Sequence, residues 1–406
     1  MSAGNDGTPS CDIRVNRGEK LTPQALPTRA SVVIIGGGVI GLSTAYHLAR
    51  AGVRDVVLVE RGDLGGGSTC KAAGGVRAQF SDGVNIELGH RSLHAFAHFQ
   101  EELDQQIDFH QVGYLFLLDQ PEHVEAFDQN VALQNDLGVK SRMIEVAEAK
   151  RLSPLIDTDG LLAAAWSPDD GHCTPEAVVL GYARAARRAG ARLVQGCTVT
   201  GIATDGSSIT AVETDHGTIA AEAVICAAGA WSRQVGDMVG VDLPVDPLRR
   251  QILTTEPMPG LDAATPFTID FSTSLYFHNE GPGLLIGMSD PDEVPGFSLD
   301  RSDEWLPRLG EAIERRAPRL SEVGIASGWA GLYEMTPDHN AVVGEAPDVS
   351  RFLYATGFSG HGFLMGPAIG EVMRDLFLGE RPVVDVSRLD ARRFDHDTVR
   401  PELNIV

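Results

Sequence analysis

The feature that most constrains the fold is a glycine-rich turn between an apolar run and a helical pattern, close to the beginning of the chain. Residues 31–35 (SVVII) form the apolar run, which is typical of a buried parallel strand. The turn, 36–41 (GGGVIG), follows at once, and the apolar spacing after it predicts a helix that ends at Gly52. A second apolar run, 55–59 (DVVLV), ends at Glu60. The segment therefore predicts a complete βαβ unit.

The glycines of this turn have separate roles in dinucleotide binding. Gly36 permits the tight turn, Gly38 lets a pyrophosphate approach the backbone, and Gly41 lets the helix and strand pack closely. The helix N-terminus supplies free N–H groups for the phosphates. Glu60, about 20 residues beyond Gly41, is placed to accept hydrogen bonds from a ribose. A glycine-rich turn without a ligand does not account for this acid, so the sequence predicts dinucleotide binding, with NAD and FAD both open.

Length and charge exclude several functional classes. The chain has 406 residues, which predicts two lobes or an elaborated single domain. Its formal net charge of −23 argues against a nucleic-acid binder and against a polybasic membrane-surface protein. No apolar run approaches the roughly 20 residues of a membrane span. The first 30 residues are polar and carry no apolar signal-peptide core, so a cytoplasmic location is expected.

Cysteine usage predicts neither a metal site nor a disulfide framework. The chain has five cysteines, an odd number, with no C-x-x-C spacing. Structural zinc sites and disulfide frameworks are recognised by regular cysteine spacings, which are absent from the sequence. We therefore expect no metal.

Further motifs follow the first unit in order along the chain. They are 65–69 (GGGST), 74–77 (GGVR), 170–175 (DGHCTP), 227–232 (AAGAWS), 331–338 (GLYEMTPD) and 357–362 (GFSGHG). With these motifs the chain resembles the D-amino-acid oxidase superfamily of flavoproteins, and within it the glycine oxidase and sarcosine oxidase branch, including sarcosine oxidase β-subunits. The resemblance covers about residues 30–390. Several separated motifs in the right order are more specific than any one of them.

The resemblance implies an α/β fold with an FAD-binding, Rossmann-like domain and an α+β substrate domain built on a mostly antiparallel sheet. The active site would lie between the domains, over the flavin ring. The implied boundaries are 30–84, 165–238 and 328–390 for the FAD-binding domain, 85–164 and 239–327 for the substrate domain, 1–29 for an N-terminal extension, and 391–406 for a C-terminal tail.

The resemblance also implies a bound, non-covalent FAD. Ser68 and Thr69 would contact the pyrophosphate and ribityl chain, and Val199 would contact the adenine through its backbone. Backbone N–H groups of 357–364 would lie near the flavin O2 carbonyl, where they stabilise negative charge on the reduced ring. The implied cofactor-binding residues are Gly36, Gly38, Val39, Ile40, Gly41, Glu60, Arg61, Ser68, Thr69, Gly74, Gly75, Val76, Val199, Ala228, Gly229, Trp231, Gly331, Gly357, Gly360, His361, Gly362, Phe363 and Leu364.

Four residues are candidates for substrate binding and catalysis. Arg77 occupies the loop position at which related oxidases bind the amino-acid carboxylate, and a planar guanidinium can donate two hydrogen bonds to a carboxylate. Tyr333 matches a pocket tyrosine of the sarcosine oxidase branch, and Tyr276 is a further candidate to orient the substrate. His361 would sit close to the flavin. A surface or salt-bridged arginine, half-buried tyrosines and a structural histidine remain as alternatives.

Three positions depart from the sarcosine oxidase pattern. Gly331 stands where the covalent-flavin branch has the attaching cysteine, so attachment by that route is not expected. Leu285 and Leu364 stand where related oxidases have lysines, and the chain has no lysine after residue 150. The pocket is therefore expected to be less positive than in fast oxygen-using enzymes. Lys71 lies in the loop 61–80, here called the flavin loop, and could compensate for one missing charge. A solvated loop lysine is the preferred interpretation.

These features predict FAD-dependent oxidation of the C–N bond of an amino acid or N-alkyl amino acid, by hydride transfer to the flavin and hydrolysis of the resulting imine. The missing lysines favour a dehydrogenase, a slower oxidase or a different substrate. The alternatives are an electron-transferring subunit of a heteromeric amino-acid dehydrogenase or oxidase, and a flavoprotein assembly factor. The loop motif 65–69 and the C-terminal motif 357–362 disfavour an NAD-linked dehydrogenase. The expected partner is a small amine or amino acid, with a homo-oligomer or partner subunits both open.

Overall fold

The computed structural model of the protein describes residues 26–395 and 399–405. Most of the predicted N-terminal extension, 1–29, lies outside the described residues, as do Cys11 and Lys20. The described part contains both strands and helices. The strands are β1 (Arg29–Ala30), β2 (Val32–Ile35), β3 (Val56–Val59), β4 (Gly75–Val76), β5 (Tyr114–Leu118), β6 (Arg142–Ile144), β7 (Ala163–Ser167), β8 (Gly171–His172), β9 (Arg192–Val194), β10 (Val199–Thr204), β11 (Ile209–Thr214), β12 (Gly217–Ala221), β13 (Val224–Cys226), β14 (Asp246–Thr255), β15 (Phe267–Asp270), β16 (Leu275–Glu280), β17 (Gly283–Gly287), β18 (Ile325–Met335), β19 (Val342–Glu345) and β20 (Phe352–Thr356).

Helices pack on both large sheets. They are α1 (Val39–Arg50), α2 (Gly83–Ala97), α3 (Phe99–Leu103), α4 (Pro121–Asp136), α5 (Val146–Leu152), α6 (Pro175–Arg188), α7 (Ser232–Asp237), α8 (Leu306–Arg316) and α9 (Gly362–Leu378). Among the described residues, none of these helices combines the length and the apolar character that crossing a membrane requires.

A six-stranded sheet in the order β19-β20-β13-β2-β3-β9 forms the first half of the molecule. Its strands pair in parallel except β19, which runs antiparallel to β20. The central strands are short apolar runs that are buried throughout, because both faces of the sheet are covered. Helix α1 packs against α6 and α9 on one face, and a four-stranded sheet, β1-β12-β11-β10, covers the other. The predicted βαβ unit is confirmed.

The short strand patterns across 192–227 predict one β-meander, and this prediction is wrong for two of its strands. Only β10, β11 and β12 form consecutive antiparallel pairs. The outer two, β9 and β13, pair in parallel with β3 and β2 of the six-stranded sheet. The physical reason is visible in β13, whose residues are all buried: a strand that is apolar on both faces suits a sheet that is covered on both sides.

The second half of the molecule is built on an eight-stranded sheet in the order β18-β14-β17-β16-β15-β5-β7-β6. Its strands are antiparallel except for the parallel pair β15–β5. Helix α8 packs on one face, and the other face lines a cavity. The predicted class, a Rossmann-like α/β unit with a mostly antiparallel second sheet, is confirmed. The domain boundaries stay predictions, and β18 crosses the one at 327/328.

Two helix boundaries differ from those that the sequence indicates. The pattern at 85–105 predicts one helix, but the structure has α2 and α3, which are separated at His98. The sequence also predicts a last helix that begins near Gly366, whereas α9 begins at Gly362 and contains Pro367. Glycine and proline disfavour a helix interior, which hid the first turn from the sequence pattern.

Candidate active site

One cavity of about 550 Å³ joins the carboxyl edge of the six-stranded sheet to the inner face of the eight-stranded sheet. Its wall includes all four residues predicted for substrate chemistry: Arg77, Tyr276, Tyr333 and His361. Most of the predicted cofactor-binding residues lie in the wall as well. The exceptions, which do not line the cavity, are Gly41, Val76 and Gly357. The structure thus brings the two predicted sets of residues together, while their roles stay predictions.

The nucleotide end of this cavity is shaped by backbone packing at the glycine turn. Gly36 has a φ of +115°, a region that residues with a side chain rarely adopt. A Cβ on Gly36 would overlap the carbonyl oxygen of Ala227, and a Cβ on Gly41 would overlap that of Gly36. Side chains are therefore excluded where α1 starts at the end of β2, and the turn presents bare backbone to the cavity.

Glu60 and Thr69 hold the backbone around this turn. Glu60 accepts hydrogen bonds from the backbone N–H of Gly37 (2.7 Å) and of Gly62 (2.8 Å), one at each carboxylate oxygen. Each oxygen keeps a lone pair, so the carboxylate can still accept from a ribose. Thr69 Oγ1 accepts from the N–H of Val39, the first residue of α1, at 3.1 Å. A hydroxyl therefore already lies at the helix N-terminus, where a phosphate was predicted.

Side chains from separate loops wall the rest of the nucleotide end. The Arg61 guanidinium lies over the Trp231 ring, 3.7 Å from its centroid, and both residues line the cavity. Ser68 was predicted to meet the pyrophosphate, and its hydroxyl donates to the Leu332 carbonyl at 2.7 Å. That bond fixes the flavin loop against β18 and leaves the lone pairs of Ser68 Oγ available.

Glu334 of β18 forms hydrogen bonds to residues at the end of β20. Sequence reasoning missed this residue although it lies inside the motif 331–338. Its Oε2 accepts from the backbone N–H of Gly357 (2.9 Å) and from Thr356 Oγ1 (3.0 Å). The Ser359 N–H donates to the Glu334 carbonyl at 3.0 Å. Burial raises the pKa of Glu334 from 4.5 to about 7. This carboxyl group therefore braces the loop that leads into α9.

Arg77 is buried, and protein groups accept several of its hydrogen bonds. Its Nη1 donates to the Gln79 carbonyl, and its Nη2 donates to the Asn404 carbonyl. Nη2 also lies 3.2 Å from His361 Nε2, and the guanidinium carbon is 4.2 Å from the centroid of the Phe80 ring. Among the described residues, no carboxylate forms an ion pair with Arg77. The alternative of a surface or salt-bridged arginine is therefore wrong.

The contact with Arg77 also fixes the state of His361. A guanidinium only donates, so His361 Nε2 accepts and the ring is neutral with its proton on Nδ1. Burial, reinforced by the charge of Arg77, lowers the pKa of His361 well below its ordinary value. His361 therefore stays uncharged at neutral pH and orients Arg77.

The segment 399–405 of the predicted C-terminal tail completes this part of the site, a role for which the sequence carries no local signal. The buried Glu402 carboxylate accepts from the Ser81 N–H (2.9 Å), the Ser81 hydroxyl (2.7 Å), the Asp82 N–H (3.1 Å) and Asn85 Nδ2 (2.9 Å). It also accepts from the Asn404 N–H at 2.9 Å. These bonds anchor the segment so that the Asn404 carbonyl faces Arg77.

Three tyrosines surround the chamber next to Arg77. Tyr276 and Tyr333 were predicted, whereas Tyr114 of β5 was hidden in an apolar strand pattern. The Tyr114 ring stacks on Phe267, with 4.3 Å between centroids. Burial raises the pKa of all three hydroxyls, so they stay protonated and can donate hydrogen bonds at neutral pH. An apolar chamber with hydroxyl donors and a cation suits a small anionic ligand.

The structure settles where the cations of the cavity lie. Lys71 Nζ donates to the carbonyls of Gly66 and Gly67, the latter at 3.1 Å, so it ties its own loop together. Sequence reasoning missed Arg250 of β14, which lines the cavity opposite Gly331. The expectation of a less positive pocket, which rested on the missing lysines, left this arginine out.

Comparison with known proteins gives concordant matches along most of the chain. Residues 31–376 match the family described as FAD dependent oxidoreductase. The chain is 32% identical to rat (Rattus norvegicus) mitochondrial dimethylglycine dehydrogenase over 96% of this chain and 48% of the relative. It is also 32% identical to mouse (Mus musculus) mitochondrial sarcosine dehydrogenase, over 94% of this chain and 43% of the relative. The chain thus spans about half the length of the curated relatives it matches.

Solved structures match over nearly the whole length of the compared chains. The L-proline dehydrogenase of P. horikoshii superimposes with a TM-score of 0.86 and 33% identity, covering 91% of this chain and 99% of that one. Glycine oxidase from Geobacillus kaustophilus superimposes with a TM-score of 0.80 and 26% identity, covering 89% and 98%. The similarity therefore extends over both sheets and the cavity between them.

Proposed function

Because this chain belongs to the FAD-dependent oxidoreductase family, we propose that it oxidises the C–N bond of an amino acid or an N-alkyl amino acid. The observation that carries the proposal is a single cavity with two different ends. One end is a bare-backbone cradle at a helix N-terminus, which suits a dinucleotide. The other is a buried chamber that holds Arg77 without a carboxylate partner among the described residues, together with three tyrosine hydroxyls.

The residues of the cavity fit FAD. Side chains are excluded at Gly36 by packing, and the first turn of α1 opens toward the cavity, so a pyrophosphate can approach the backbone N–H groups. Glu60 keeps lone pairs for a ribose. Gly331, in the wall, carries no side chain that could attach to a flavin, which supports non-covalent binding. The start of α9 at Gly362 directs its N-terminus toward the same cavity and can stabilise negative charge.

The chain's own residues would bind and orient the substrate. When bound, FAD supplies the two-electron acceptor that takes a hydride from the carbon next to nitrogen, which leaves an imine that water hydrolyses. Arg77 would bind the substrate carboxylate through its remaining N–H donors, with His361 and Asn404 fixing its orientation. The protonated hydroxyls of Tyr276 and Tyr333 would donate to the carboxylate. The apolar walls, Ile252, Phe267 and Ile269, would keep bulk water away from the reacting carbon.

The test is spectroscopic and works even before the substrate is identified. The purified protein is expected to carry the visible absorption of an oxidised flavin, which acid denaturation should release. Anaerobic mixing with a panel of N-methyl and cyclic amino acids should bleach this absorption for at least one member. A protein that binds no flavin, or a flavin that no amino acid in the panel reduces, would contradict the proposal.

Two kinds of observation favour an electron acceptor other than oxygen. The two curated relatives and one structural neighbour are named dehydrogenases: dimethylglycine dehydrogenase, sarcosine dehydrogenase and L-proline dehydrogenase. Both positions at which related oxidases have lysines are leucines that are buried here, Leu285 and Leu364. The reduced protein is therefore expected to be reoxidised faster by an artificial acceptor dye than by air. Partner subunits and an assembly role stay open alternatives, and co-purification tests them. The cytoplasmic location also stays a prediction, which cell fractionation tests.

A further inference from the structure

We propose that Arg250 is a second residue that binds the substrate carboxylate, and this inference rests on the proposed function. Two arginines stand side by side on β14, and strand alternation sends their side chains to opposite faces of the sheet. Ile252, two residues further on, lines the cavity with Arg250, whereas Arg249 and Gln251 do not. The two arginines therefore allow a direct comparison of the same side chain in two environments.

Arg249 is neutralised by groups on the outer side of the sheet. Its Nε donates to Glu293 Oε2 at 2.9 Å, and the two side chains form an ion pair that is largely buried. Its Nη1 donates to the Asp300 carbonyl. A guanidinium in this position has both a counter-ion and hydrogen-bond acceptors, so its role is structural.

In the part of the chain that the structure describes, Arg250 has no counter-ion and a single hydrogen-bond acceptor. Its Nη1 donates to the Arg249 carbonyl at 3.2 Å, but its buried Nε has no acceptor and no carboxylate forms an ion pair with it. A buried donor without an acceptor destabilises the folded protein, and so does a positive charge without a counter-ion away from bulk water. An anionic ligand in the chamber would offset both costs.

The surroundings of Arg250 leave room for a small carboxylate and offer few competing acids. Gly331 is its neighbour across the β14–β18 pair and adds no side chain to the chamber, and a Cβ there would meet Lys71. Its guanidinium carbon is 5.3 Å from the centroid of the Tyr333 ring, and Tyr276 lies close enough to feel its charge. Of the acids in the cavity wall, Glu334 is engaged by Gly357 and Thr356.

The other acids in the wall, Glu60 and Asp63, belong to the nucleotide end. Arg250 is therefore the cation with the most unused hydrogen-bonding capacity in the chamber, since Arg77 already directs three N–H groups at protein acceptors. A carboxylate bound between Arg77 and Arg250 would face the positive charge of Arg250. The lysines that related oxidases have at the positions of Leu285 and Leu364 cannot supply that charge here. The substrate class that follows is one with a free carboxylate, and amides and esters of the same amino acid are expected to bind poorly.

The test uses the flavin-loaded protein and a ligand that cannot react. Propionate carries the carboxylate without an amine, and propionamide is its neutral counterpart; both are titrated while the flavin absorption is followed. The variants are Arg250→Gln and Arg250→Lys, with Arg249→Gln as the matched control on the opposite face of the same strand. Thermal unfolding of each variant separates loss of the fold from loss of binding.

The expected result is that Arg250→Gln weakens propionate binding at least tenfold, while propionamide binding and Arg249→Gln change less than twofold. Arg250→Lys should be intermediate, because an ammonium keeps the charge without the planar fork. Unchanged propionate binding in Arg250→Gln would overturn the inference, as would equal losses for propionate and propionamide, a change in flavin content alone, or no propionate binding by the unmodified protein. Flavin reduction by amino acids tests the proposed function separately.

Discussion

The two ends of the cavity are built from different parts of the polypeptide. At the nucleotide end, backbone groups of a glycine turn and a helix N-terminus form the surface, and Glu60 and Thr69 hold that backbone in place. At the other end, the chamber next to Arg77 that is here called the substrate end, side chains from distant segments converge. Arg77 and Arg250 are among them. The nucleotide end therefore requires a residue without a Cβ, whereas the substrate end requires particular side chains.

This difference predicts how each end tolerates substitution. A backbone surface fails when any side chain is added, because the added atoms occupy the space of the ligand or of the packing strand. A side-chain surface loses only the energy of the group that is removed, provided the rigid sheet beneath it is unchanged. Substitutions at the two ends should therefore differ in kind as well as in size.

The largest effect is expected for Gly36→Ala. The new Cβ would overlap the Ala227 carbonyl oxygen, and the residue would have to keep a φ of +115°. The flavin-to-protein ratio of the purified variant, read from its absorption, should fall close to zero. Gly310→Ala in α8 is the control, because a Cβ there meets open space. Normal flavin content in Gly36→Ala would show that the turn does not form the cradle.

The next effect concerns Glu334, where the two ends meet. Burial raises its pKa from 4.5 to about 7, so folding favours the protonated form. Stability should therefore fall as the pH rises from about 4.5 to 7, by at most roughly 3–4 kcal/mol at ~1.4 kcal/mol per pKa unit. Glu334→Gln should remove this fall, and the exposed Glu311→Gln should not. The measurement is thermal unfolding across that pH range, and parallel curves for both variants would contradict the assignment.

A smaller effect, confined to the substrate end, is expected for Arg77→Ala. Removal of the buried guanidinium should lower kcat/KM for a carboxylate substrate by tenfold to hundredfold, about 1.4–2.8 kcal/mol. Flavin content should stay normal, in contrast to Gly36→Ala. The exposed Arg308→Ala controls for a change of net charge. A change below tenfold with normal flavin content would mean that Arg77 has a structural role only.

The smallest effects are expected for Tyr276→Phe and Tyr333→Phe. Each removes one hydroxyl donor and keeps the ring, so kcat/KM should fall by less than tenfold, in line with roughly 1 kcal/mol for a single hydrogen bond. Tyr354→Phe is the control, since its hydroxyl contacts Asp390 away from the cavity. Steady-state kinetics with the best substrate of the panel make the measurement. A loss as large as that of Arg77→Ala would assign a proton-transfer role to that tyrosine.

The difference between the two ends of the cavity also explains which parts of the site could be predicted from the sequence. The nucleotide end was readable because its residues follow one another in 31–60, and because a steric rule fixes their spacing. Arg250 and Tyr114 were missed because each lies in a strand whose partner residues are far away in the sequence. Only the pairing of the strands decides which face of the sheet lines the cavity. Arg77 was found through family motifs, yet its acceptor at Asn404 had no local signal.

The contact between Arg77 and Asn404 joins positions 327 residues apart in the chain. Bringing such distant positions together costs loop-closure entropy, which favours the formation of this contact after more local ones. The glycine turn, by contrast, joins two consecutive elements, β2 and α1, although it also packs against Ala227. During folding, the protein is therefore expected to gain the ability to hold its cofactor before Arg77 has its final orientation. Recovery of flavin absorption should precede recovery of turnover when the denatured protein is refolded.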